Sequence, residues 1–106
     1  MTDYEMECVI AEKVMGWTRG THSSDVGGVR NVWLAADESV ARFKWHPLRS
    51  IADGMDAWEK FSDGKFTCID FFDDGGYGAV WIDHTAAHDK DLLRAMCRCI
   101  VRAVAA

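Results

Sequence analysis

Two short runs of strand-forming residues, Lys65–Phe72 and Tyr77–Asp83, flank the dipeptide Asp74-Gly75. Asp-Gly between such runs marks a β-hairpin, because a type I′ turn needs positive φ at both central positions. The register this implies sets Phe72 opposite Tyr77 and Cys68 opposite Trp81. One face then carries Cys68, Phe72, Tyr77 and Trp81, and the other carries Ile69, Phe71, Val80 and Ile82. A sheet that is apolar on both sides is expected to be covered on both sides.

The rest of the chain supplies candidates for that cover. Thr2 followed by Glu5 forms a capping box, and Met6, Ile10, Val14 and Trp17 recur at helical spacing behind it, with Gly16 as the stop. This predicts a helix over about residues 3–15. Ser50 as N-cap, with Asp53 three residues on, opens a second helix over about Ile51–Phe61. Ile51, Met55 and Trp58 form its apolar face. Asp89 and Asp91 open a third, in which Leu93, Met96, Cys97, Ile100 and Val104 make the buried stripe. Between the first two helices, Thr18 to Gly28 is rich in Gly, Ser and Thr and reads as a surface loop. Arg30–Ala36 reads as a strand, and Val40–Trp45 as a partner strand or extended edge ended by Pro47.

The order helix, strand or strands, helix, hairpin, helix fits an α+β domain spanning 1–106. A small antiparallel sheet of three or four strands with helices on both faces, an α-β-α sandwich, is the expected architecture. The chain's 106 residues suit one domain. No apolar run reaches the roughly 20 residues of a membrane span. The acidic start Met1-Thr2-Asp3-Tyr4-Glu5 does not resemble a signal peptide. A cytoplasmic protein is therefore expected, with Cys8, Cys68, Cys97 and Cys99 reduced and mostly buried.

Parts of the helices resemble a family. Ile10-Ala11-Glu12-Lys13-Val14-Met15-Gly16-Trp17 looks like the opening signature of the phage ABA sandwich domain. Ile51-Ala52-Asp53 with Ala57-Trp58, and the last helix from Leu93 to Val104, are similar to that family's later helices. The segment from Thr18 to Trp45 departs from the pattern. The resemblance implies an α-β-α layered fold and a phage or prophage source. It brings no catalytic residues to carry over. It also implies a small accessory protein that acts on host machinery, including defence complexes such as CRISPR effectors.

The candidate sites are few. Asp83, His84, His88 and Asp89 cluster in sequence with residue types that ligate Zn²⁺, but without helical or zinc-ribbon spacing, and no metal or other cofactor is expected. Cys68 and Cys97 lie on predicted core positions, and Cys8 and Cys99 toward helix flanks with no His nearby, so no enzyme is expected. The formal net charge is -5. Asp70, Asp73, Asp74, Asp83 and Asp89 would form one acidic patch if the hairpin tip lies near the start of the last helix. Such a patch suits a basic, nucleic-acid-binding protein partner. Trp45, beside Lys44, His46 and Pro47, would be an interface anchor if exposed. Arg94, Arg98 and Arg102 repeat every four residues on the predicted solvent face of the last helix. They offer the alternative of a nucleic-acid-binding regulator. The leading expectation is a non-enzymatic protein that binds a host protein or complex, as a monomer or homodimer, without contact to nucleic acid or membrane.

Overall fold

A computed structural model describes residues 1–24, 26–72 and 77–105. The elements run α1 (Asp3–Lys13), β1 (Thr18–Ser24), β2 (Gly28–Leu34), β3 (Val40–Arg42), α2 (Ile51–Ser62), β4 (Thr67–Phe72), β5 (Tyr77–Ile82), β6 (Thr85–Asp89) and α3 (Leu92–Ala105). The fold is α+β with antiparallel pairing throughout, as expected. The strands form two three-stranded sheets, β1-β2-β3 and β4-β5-β6, where one sheet of three or four strands was expected.

The helix starts are set as the sequence dictates. Thr2 and Glu5 close the capping box of α1. The Ser50 hydroxyl accepts the Asp53 N–H at 3.3 Å. The Asp91 carboxylate accepts the N–H of Leu93 at 2.9 Å and of Arg94 at 3.4 Å, which caps α3. Gly16 leaves α1 with φ +74, a conformation glycine adopts without cost.

The β4–β5 register is the one the hairpin pattern implies, with Cys68 opposite Trp81 and Phe72 opposite Tyr77. The Asp74-Gly75 turn lies outside the described residues. Two strands arise that the sequence reading does not include, one of them in the predicted loop. β1 fills Thr18–Ser24 and pairs with β2 from Thr18↔Leu34 to Ser24↔Gly28. Its residues show no apolar alternation because most of them are exposed. β6 follows β5 through the two-residue turn Asp83-His84, with Asp83 at φ +52. Its sequence, Thr85-Ala86-Ala87-His88-Asp89, is poor in strand formers, and pairing to β5 outweighs propensity.

α3 is central: it contacts β5 and β6 as well as α1 and α2. That position buries Ala95, Met96, Cys97, Cys99 and Ile100, a wider face than the predicted stripe. Cys99, expected toward a flank, is fully buried and its thiol donates to the Thr85 carbonyl at 3.3 Å. α2 is rotated relative to expectation. Gly54, Ala57 and Trp58 face inward, whereas Ile51 is 72% exposed and Met55 is also exposed. The cause is a close helix approach. A Cβ on Gly54 would stand 2.6 Å from Leu93 Cδ2 and 2.8 Å from the Pro47 carbonyl. Gly54 is therefore the contact point, and Ala57, Trp58 and Phe61 follow it at i+3, i+4 and i+7.

The two faces of β4-β5-β6 differ. Val80, Ile82 and Ala87 are buried on the α3 side. The opposite face carries Cys68 and Trp81 half-buried and Asp70, Ala86 and His88 exposed. Ala79, on the same face, is buried, so among the described residues this more open face is partly covered, and the side chains of Phe72 and Tyr77 lie outside them. Beyond the core, the outer parts of β1 and β2 project as an arm. The radius of gyration is 15.1 Å and the extents are 51 × 28 × 22 Å. A compact chain of this length would have a radius near 13 Å.

Candidate functional site

Among the described residues, Asp70, Asp83 and Asp89 do not converge as one patch. Asp70 and Asp83 share a shallow depression on the open face of β4-β5-β6, with Phe66, Cys68 and Trp81. Phe66 is 72% exposed. Asp83 also accepts the Phe66 N–H at 3.1 Å, while its own N–H donates to the Phe66 carbonyl, so the turn and the end of β4 are tied together. Asp89 lies at the other end of β6, where it pairs in register with Gly78. About 14 Å of strand separates the two ends, at about 3.4 Å per residue. Asp89 is also partnered, 3.1 Å from Arg98. Asp73 and Asp74 lie outside the described residues.

The same strand separates His84, in the β5–β6 turn, from His88 and Asp89. Among the described residues no group of three or more His, Cys, Asp or Glu side chains is placed to hold one metal ion. Burial pushes the Cys97 thiol up to about 12, and Cys99 is raised for the same reason. Neither thiol is poised as a nucleophile.

The arginine row is committed within the molecule. Arg94 makes a two-pronged pair with Asp3, at 2.6 and 2.8 Å, and holds that carboxyl below its ordinary value. Arg98 faces Asp89, and Arg102 donates to the Ala86 carbonyl at 2.9 Å. The three arginines line one surface depression together, and the same contacts tie α3 to α1 and to β6.

Trp45 is 4% exposed, not an exposed anchor. Its indole N–H donates to the Glu7 carbonyl at 3.2 Å, and its ring meets Trp17 edge-on at 4.9 Å. With its one polar atom satisfied, the ring gains by burial.

Trp45 also lines a cavity of about 180 Å³ that the sequence did not point to. α1 contributes Tyr4, Glu7 and Cys8, β1 contributes Arg19, and β2 contributes Asn31, Val32 and Trp33. Residues 43–46 close it. The Arg19 guanidinium lies over two rings, 4.9 Å from the Trp33 centroid and 5.4 Å from that of Tyr4. Glu7 Oε2 is 3.3 Å from His46 Nδ1, which is also 2.8 Å from Arg49 Nη2. Burial raises the Glu7 carboxyl above its ordinary value, and His46 opposes that shift. These residues come from four separate stretches of chain, so no local spacing announces them. The one local signal is the chemistry concentrated in Phe43-Lys44-Trp45-His46.

Among the described residues, no helix is long and apolar enough to cross a membrane. Comparison of the chain with protein families, with curated proteins and with solved structures finds no match.

Proposed function

We propose that this protein is a non-enzymatic phage or prophage accessory protein that acts in the host cytoplasm by binding a host protein. Its target in this reading is a basic, nucleic-acid-binding component of a defence complex such as a CRISPR effector. The observation that carries the reading is the open face of β4-β5-β6. There the exposed ring of Phe66 and the half-buried ring of Trp81 line one depression with the carboxylates of Asp70 and Asp83. An aromatic centre with charge at its edge is the usual anatomy of a protein interface. The overall charge of -5 favours a basic partner, by steering encounter and by penalising acidic surfaces. The resemblance of the helices to the phage ABA sandwich family supports the biological setting. The nucleic-acid alternative has less support, because Arg94, Arg98 and Arg102 already have partners.

The test combines capture with a cell assay. Tagged protein is passed over lysate from a bacterium with an active CRISPR system, and phage plating is scored on that host with and without the protein. The expected result is retention of the effector complex, displacement by its nucleic acid, and restored plating. Asp70→Lys and Phe66→Asp should each weaken retention about ten-fold or more, a loss in the range for central interface residues. Full retention by both variants would overturn the assignment of this face. Unchanged plating with no retained complex would overturn the target class.

A further inference from the structure

We infer that the cavity at the root of the arm is a binding site for one small carboxylate, received by Arg19 and Lys44 and seated against the Trp33 and Trp45 rings. This inference is independent of the protein-binding face, which lies on the other sheet.

Charge is the first ground. Arg42, Arg94 and Arg98 each pair with a carboxylate of the protein. Arg19 has no carboxylate partner among the described residues; on the cavity wall its guanidinium lies 4.0 Å from the Cys8 sulfur and interacts with the Tyr4 side chain. Lys44 stands on the same wall, exposed and likewise without an ion pair among the described residues. The one acid in the cavity, Glu7, is 8% exposed and turned to His46. A protein of net charge -5 thus presents a cationic recess, which selects an anion.

Preorganisation is the second ground. The Arg19 guanidinium, though exposed, packs 4.9 Å from the Trp33 ring centroid and 5.4 Å from that of Tyr4, so part of its side-chain freedom is already given up before binding. A planar fork of donors held this way matches a carboxylate.

Size decides the ligand class. About 180 Å³ corresponds to roughly six water molecules at about 30 Å³ each. That is below the roughly 300 Å³ at which pockets for drug-sized molecules begin. A nucleotide does not fit, whereas a carboxylate on a ring or short chain does. Such a group comes either as a free small acid or as an acidic side chain of another protein.

The experiment is a titration of the full-length protein followed by ¹H–¹⁵N NMR, reading the Trp33 and Trp45 indole N–H signals. Benzoate represents a free acid, N-acetyl-glutamate amide represents a protein side chain, and benzamide is the uncharged isostere of benzoate. The expected result is saturable shifts with at least one of the two acids, with benzamide at least ten-fold weaker than benzoate where benzoate is the acid that binds. Tighter binding of benzoate assigns a free acid, and tighter binding of the glutamate derivative assigns a protein side chain. Arg19→Gln should weaken the acid at least ten-fold, and Arg42→Gln, on an arginine outside the cavity, should not. Equal binding of benzoate and benzamide, or no saturable shift with either acid, would overturn the inference. The wild-type comparison decides the matter even where Arg19→Gln perturbs folding.

Discussion

Glu7 is the buried acid among the described residues, and its environment makes a signed prediction. Burial raises its pKa above the ordinary 4.5, with the nearby His46 pulling the other way. The folded state therefore holds this proton more tightly than the unfolded chain does. Between the ordinary value and the raised one, folding takes up protons, so the Glu7 contribution to stability falls as pH rises. Gln in its place keeps the shape and has no charge to bury. The stability of Glu7→Gln relative to the natural protein should rise from about pH 4.5 upward and level off above the raised pKa. Urea unfolding of both proteins across that range reads the difference directly. A gap that stays constant with pH would show that Glu7 titrates at its ordinary value. The comparison of two proteins cancels the carboxylates that do not interact with Glu7, such as Asp37, whose pKa is lowered by its hydrogen bonds with Ser39.

At the scale of elements, Gly54 shows why a helix's place can be legible while its orientation is not. Ser50 and the apolar spacing locate α2 to within a residue or two. They do not reveal that α2 meets α3 backbone-close, which turns Ile51 and Met55 outward. Ala at position 54 gains about 1 kcal/mol of helix propensity. It must also place a Cβ 2.8 Å from the Pro47 carbonyl, a backbone atom that cannot swing aside. Overpacking of this kind costs about 1–3 kcal/mol. Gly54→Ala is expected to lower the midpoint of thermal unfolding despite the better propensity, and an unchanged or higher midpoint would show that α2 is not held so close. Strand legibility followed the same logic. The β4–β5 register was readable because the Asp74-Gly75 turn signal between two strand-forming runs fixes it, whereas β1 exposes most of its described side chains and leaves no alternation to read. The cavity was illegible for a further reason. Its walls come from α1, β1, β2 and residues 43–46, which only the tertiary fold brings together.

At the scale of the whole molecule, the arm and the core are energetically separate. The buried cluster runs through α1, α2, α3, β5 and β6 and reaches the first sheet only at its root, through Trp33. Further out, Thr21, Arg30 and Asn31 are exposed, and Val26 and Val29 are 99% and 68% exposed. The arm's outer pairs are backbone hydrogen bonds with little apolar burial beneath them, and a two-stranded ribbon of that kind is marginal alone. Joining Thr21 to Asn31, which are register partners, through an Asn-Gly turn in place of residues 22–30 removes that ribbon. It leaves the walls of the cavity and the open face of β4-β5-β6 in place. The shortened protein should unfold in one cooperative transition with a midpoint within a few degrees of the natural one, since no core side chain is lost. In the natural protein, the outer arm amides should exchange with solvent by local opening, while those of α3 and β5 exchange only with global unfolding. Loss of cooperativity on shortening would mean that the arm stabilises the core. A stable shortened protein that binds the proposed partner as well as the natural one does would show that the outer arm is not part of that interface.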